Sequence, residues 1–146
     1  MADLKPDVVD RALREAMKRA ANLDYFFDTL ASPAWIDPLR ERGLFSEPPA
    51  QTVSDEGYIL APPWSASRYL LRMAASAPTP VASVILSVET NNERLHQDFI
   101  DAALVMPIVE ARDIAAREAF WMARRDHVYY LQPKSSFHNE VFLSRR

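Results

Sequence analysis

The chain has no cysteine and only two glycines, Gly43 and Gly57. The first absence excludes disulfide frameworks, thiol nucleophiles and cysteine-ligated zinc or iron–sulfur sites. The second excludes the glycine-rich loops that cradle phosphates and argues against a turn-rich β-sandwich. Long apolar runs are also missing, since none approaches the roughly 18–20 residues that span a bilayer. The first 24 residues mix Asp, Lys, Arg and Glu with short apolar steps and hold no continuous apolar stretch of the signal-peptide kind. The expectation is a cytoplasmic protein without a membrane segment.

What is present fits one mostly helical domain spanning residues 1–146. The chain is 49% hydrophobic and 25% charged, and its length buries a core without metal or disulfide support. The net charge of −3 is unevenly spread. Residues 25–110 carry eleven acids against five bases, whereas residues 111–146 carry seven bases against four acids. An acidic middle makes a poor phosphate-backbone binder, which needs a basic stripe. The C-terminal bases, Arg124 and Arg125 among them, suit an acidic surface or simply a solvated helix face.

Pro6 and Asp7 open a helix whose apolar positions recur at steps of three and four through Ala20, giving an N-terminal helix within residues 1–22. Tyr25, Phe26, Phe27 and Leu30 predict a second, short helix ending before Pro33. A third carries Trp35, Ile36 and Leu39 and stops at Gly43. Residues 44–64 hold Pro48, Pro49, Pro62 and Pro63 and read as a long loop, pinned by Tyr58, Ile59, Leu60 and Trp64. Helices resume with a cap at Ser65 or Ser67, break at Pro78 and continue through Val81, Val84 and Ile85. Thr90 and Glu93 have the spacing of a capping box before a helix with Leu95, Phe99 and Ala103. Pro107 starts another, ending near Arg125-Asp126. In the tail, residues 127–146, β-formers at Val128–Leu131 and Val141–Leu143 suggest a small hairpin; the alternative is that His127–Leu131 finish the helix. The expected core is Leu13, Phe26, Leu30, Trp35, Leu39, Leu70, Met73, Val84, Ile85, Phe99, Ala103, Ile114 and Phe120.

Three segments share a layout: Tyr25-Phe26-Phe27-Asp28 leads to Pro33, Arg68-Tyr69-Leu70-Leu71 to Pro78, and Asp98-Phe99-Ile100-Asp101 to Pro107. Each is an aromatic-led amphipathic helix, a proline, and a second helix, and such a pair must stack on neighbours to hide both apolar faces. Over residues 23–126 this layout resembles HEAT- or armadillo-type repeats. The run Asp24-Tyr25-Phe26-Phe27, Trp35, Leu39, Gly43, Phe45, Pro63-Trp64 and Tyr69-Leu70 is similar to a stretch of large bacterial helical-repeat proteins. The resemblance implies an all-α, short right-handed α-solenoid of stacked antiparallel helix pairs, to which the β-formers of the tail add a small extended C-terminal segment. It supplies no catalytic residue, and residues 132–146 depart from it.

Chemistry-bearing constellations are few. His96 with Asp98 and Asp101 is the one group of metal-ligand types on a single helix, but their spacing does not converge on one ion. His138-Asn139-Glu140 reads as a surface loop. Asp24 with Asp28, and Glu89 with Glu93, are carboxylate pairs of the kind that divide acid and base roles, although helix starts favour such residues anyway. No Gly-x-Ser-x-Gly elbow is present. The expectation is a non-enzymatic protein-interaction module without cofactor, binding a protein or peptide partner through Phe45, Trp64, Arg124 and Arg125. The apolar tail, with Tyr129, Tyr130 and Phe142, points to a homodimer interface, with fold-back of the tail as the alternative. A hydrolytic or metal-dependent enzyme using His96 and nearby carboxylates is a second functional class that the residues admit. A nucleic-acid-associated protein using the basic C-terminal segment is a third.

Overall fold

A computed structural model describes residues 4–131, with side chains through residue 124. It is mostly helical: α1 (Pro6–Ala16), α2 (Ala20–Thr29), a 3-10 turn (Pro33–Trp35), α3 (Ile36–Glu41), β1 (Thr52–Val53), β2 (Ile59–Leu60), α4 (Ser65–Met73), α5 (Pro78–Ser87), α6 (Glu93–Leu104) and α7 (Ile108–Leu131). Prolines set three of the breaks. Pro33 and Pro78 occupy first turns, where a missing N–H costs nothing, and Pro107 immediately precedes α7. Gly43 follows α3 with φ of 79°, a conformation other residues rarely adopt.

The helices contact one another in two rows. In the first, α2 lies against α4 and α4 against α6; in the second, α3 lies against α5 and α5 against α7. Contacts of α4 with α5 and of α6 with α7 join the rows, and α1 covers α2. The shared core includes Phe27, Ile36, Leu39, Phe45, Tyr69, Leu70, Val81, Ile85, Leu95, Phe99 and Ile114. Tyr69 donates its hydroxyl to the Ser32 carbonyl at 2.6 Å, and burial pushes that hydroxyl far above its ordinary pKa.

Polar bonds register the first row. Asp24 accepts from Ser65 at 2.8 Å, Asp28 takes a two-oxygen grip from Arg68, and Ser67 meets Asp98 at 2.6 Å. The carboxylates four apart on α2 are therefore each committed to α4. A second device recurs in both rows. Arg72 of α4 donates to the carbonyls of Phe27 and Leu30 at the end of α2. Arg117 of α7 donates to those of Ile85 and Val88 at the end of α5. Neither α2 nor α5 has a basic residue in its own last turn, so the neighbouring helix supplies the cation that its terminal carbonyls favour.

Several expectations are corrected. The helix expected to run from Pro6 through Ala20 stops at Ala16, and α2 starts at Ala20. The loop at 44–64 contains a two-stranded antiparallel hairpin, Thr52 opposite Leu60 and Val53 opposite Ile59. Tyr58 and Leu60 are exposed. The buried Asn92 donates to the carbonyls of Pro49 and Pro62, and Gln51 accepts from the Glu93 amide. Asn92, not Thr90, is the N-cap of α6, accepting from the Arg94 amide, while the Thr90 hydroxyl accepts from the Asn92 amide. Trp64 precedes α4, and neither Ser65 nor Ser67 caps it. His127–Leu131 continue α7 as helix rather than extended chain. Of the expected core, Leu13, Leu39, Leu70, Met73, Val84, Ile85, Phe99 and Ile114 are buried, whereas Phe26, Leu30, Trp35 and Ala103 are partly so. Phe120 is 63% exposed. It lies six residues, about 240° of helical rotation, from the buried Ile114. Phe142, His138 and Val141–Leu143 lie outside the described residues.

Candidate functional site: a buried histidine clasp and an exposed apolar edge

α6 places His96 on its inner face, one turn from Phe99, and α7 brings Glu118 opposite. His96 is 5% and Glu118 2% exposed. His96 Nδ1 lies 2.6 Å from Glu118 Oε1, and Nε2 lies 2.7 Å from the Thr90 carbonyl. A carbonyl only accepts, so Nε2 carries a proton. A second proton lies between Nδ1 and the carboxylate. The other Glu118 oxygen accepts from Arg117 Nε and Nη2 at 3.1 and 2.9 Å. The imidazole stacks on Trp121 with centroids 3.8 Å apart, and the Arg117 guanidinium lies over Phe99. The chain of bonds runs from the end of α5 through Arg117, Glu118 and His96 to the turn before α6.

This arrangement is an interior clasp. Both imidazole nitrogens are engaged, leaving no lone pair for a substrate or metal without breaking a bond. The carboxylates expected near His96 go elsewhere: Asp98 to Ser67, and Asp101 to the Gln97 amide at 2.9 Å. Among the described residues no three His, Asp or Glu side chains are disposed to hold a metal ion. Glu118, 22 residues from His96, carries no local sequence signal; the helical register that aligns it with Ile114 is the nearest one.

Asp98 is the described carboxylate whose pKa is displaced. Burial raises it above the ordinary value, and the Ser67 bond and nearby Arg68 oppose the rise. Ser67 Oγ also donates to the Trp64 carbonyl at 2.9 Å. One hydroxyl proton cannot serve two acceptors. With Asp98 protonated, its O–H donates to Ser67 Oγ, and Ser67 keeps its own proton for Trp64.

Of the four residues expected at a partner surface, Phe45, Trp64 and Arg124 have described side chains, and they differ in exposure. Phe45 is a core residue, 4% exposed, with its ring 6.0 Å from Phe27, and cannot line a groove. Trp64 is half-buried against the core. Arg124 is exposed on α7 with its guanidinium 5.6 Å from the Phe120 ring centroid. Arg125, Tyr129 and Tyr130 lie in helical backbone, outside the described side chains.

The surface that does stand out is the α6–α7 edge, where Leu104 is 77% and Ile108 79% exposed, with Val105 and Val109 beside them. Phe120 and Met122 extend exposed apolar surface along α7. No helix among the described residues is long and apolar enough to cross a membrane. No protein-family model, curated protein or solved structure matches the chain.

Proposed function

We propose that the chain is a non-enzymatic protein-interaction module: a short right-handed α-solenoid of stacked helix pairs that binds a protein partner along its α6–α7 edge. The carrying observation is the two-row contact order, α2–α4–α6 beside α3–α5–α7, which is how stacked helix pairs share a continuous core. The arginine clamp repeated in both rows supports the same reading, because each row secures one helix end from its neighbour. A stack also has ends, and uncovered apolar surface at an end marks an association site. Leu104, Val105, Ile108 and Val109 provide it.

The test is quantitative co-purification of the intact chain from its native host, beside Ile108→Glu. That exposed position tolerates a charge without disturbing the core. A stoichiometric partner, another copy included, bound by the natural chain and lost from Ile108→Glu is the expected result. A chain that neither recovers a partner nor self-associates overturns the reading.

A further inference from the structure

We propose that copies of this chain join head to tail, the apolar edge of α6 and α7 on one copy seating in a basic groove along α1 of the next. The proposal rests on the interaction-module reading and names the partner for its edge.

The groove, about 570 Å³, runs between α1 and the turn after α3. Its apolar surface comes from Leu13, Leu44 and Met17, the last of them 61% exposed. Helix α1 adds Arg14 and Lys18, one turn apart, and the turn after α3 adds Arg42. Asp10 is the one carboxylate in the lining, and Arg42 already holds it at 2.7 Å. Lys18 meets Glu15 in an exposed pair, a kind that contributes little. Arg14 is exposed and has no ion-pair partner among the described residues. The groove therefore sets two cations that a partner's carboxylates can claim beside an apolar surface.

The edge carries the complementary pattern. Leu104, Val105, Ile108 and Val109 are exposed where α6 meets α7. Asp101 lies one turn before Leu104, Glu110 adjoins Val109, and Asp113 lies one turn beyond it; Arg112 is the one base among them. Three bases to one acid line the groove, and three acids to one base flank the edge. Asp113, like Arg14, is exposed and lacks an ion-pair partner among the described residues.

Position makes a second copy the occupant. Helix α1 lies against α2 at the start of the first row, whereas α6 and α7 end the two rows. No residue of the edge lines the groove of its own copy. One chain thus presents the two halves at opposite ends of its stack, the direction in which stacked helix pairs extend. The contact joins two different surfaces, so it does not close on two copies, and each joined pair leaves one groove and one edge free.

Light scattering on the full chain across a concentration series, beside two variants, is the test. The mass of the natural chain should rise past that of two copies. Ile108→Glu disables the edge, and Arg14→Glu combined with Lys18→Glu disables the groove; each should weaken association at least about 10-fold. All three positions are exposed, and unchanged far-ultraviolet circular dichroism verifies the fold. Mixed in equal amounts, the two variants should form a one-to-one pair, since each keeps the half that the other has lost. Association that survives either variant, a mixture that fails to pair, or growth that stops at two copies overturns the proposal. A monomeric chain that captures a different protein through Ile108 overturns this pairing and leaves the interaction-module reading standing. A monomeric chain that captures nothing overturns both.

Discussion

His96 and Glu118 meet at 2.6 Å between α6 and α7, each almost wholly withdrawn from water. With Arg117 they form a buried ionic cluster whose members depend on one another, because Arg117 also holds the last carbonyls of α5. Removing Glu118 leaves His96 Nδ1 and one edge of the Arg117 guanidinium without their acceptor beneath the protein surface. Glu118→Ala is therefore expected to cost about 3–5 kcal/mol in urea unfolding. Asp28→Ala, which breaks the half-exposed pair with Arg68, should cost under about 1 kcal/mol. Equal losses at the two sites contradict the assignment of the clasp as the cluster that joins α5, α6 and α7.

Asp98 gives a pH dependence with a definite sign. Its folded-state pKa is raised by burial, so the stability tied to the protonated form is complete below the unfolded value, about 3.9. It is lost as pH rises through the higher folded value. Asp98→Asn donates to Ser67 at every pH and has no charge to bury. Its melting temperature should match the natural chain near pH 4 and exceed it at pH 7. A variant less stable than the natural chain at pH 7 shows that the ionised carboxylate is the favoured partner of Ser67.

Asn92 combines a helix cap with two loop anchors. Its side-chain oxygen accepts from the Arg94 amide while its amide group serves Pro49 and Pro62. Loss of the cap alone costs about 1 kcal/mol, and each partly buried carbonyl left unserved adds about 0.5–1.5 kcal/mol. Asn92→Ala should thus lose at least about 2 kcal/mol and raise protease sensitivity within residues 44–64. A loss no larger than the cap's, with the loop still protected, shows that the loop is held by other bonds.

Two phenylalanines on adjacent helices separate core from surface. Phe99 is fully buried and Phe120 is not. Phe99→Ala should cost about 3–5 kcal/mol, and Phe120→Ala no more than about 0.5 kcal/mol in the monomer. Denaturant midpoints of the two variants, measured at low protein concentration, check the contrast.

The backbone breaks are legible in the sequence because proline and glycine act locally. Pro33, Pro78, Pro107 and Gly43 mark helix boundaries by restrictions that need no tertiary partner. The α6 cap is harder, since Thr90 and Asn92 are both competent caps and only the anchored loop decides between them. The course of α7 past Arg125 runs against the β-preference of Val128-Tyr129-Tyr130, a weak local term that helical continuation outweighs. At Phe120, aromatic character points inward but register points outward, and register wins: the steps from Ile114 to Glu118 and Trp121 define the inner face, and Phe120 is not on it. The clasp joins residues 22 apart on different helices. Nothing local in His96 or Glu118 announces the other, so this buried pair is invisible in the sequence until the helices are packed.

The claim that the exposed edge of α6 and α7 binds a partner is tested most directly by placing one charge on it. The natural chain, Ile108→Glu and Tyr25→Glu are purified side by side from the native host; Ile108 and Tyr25 are both highly exposed, one on the edge and the other on α2. The account predicts a stoichiometric partner, another copy included, with the natural chain and with Tyr25→Glu, and its loss from Ile108→Glu. A partner retained by Ile108→Glu, or none recovered by the natural chain, contradicts the account.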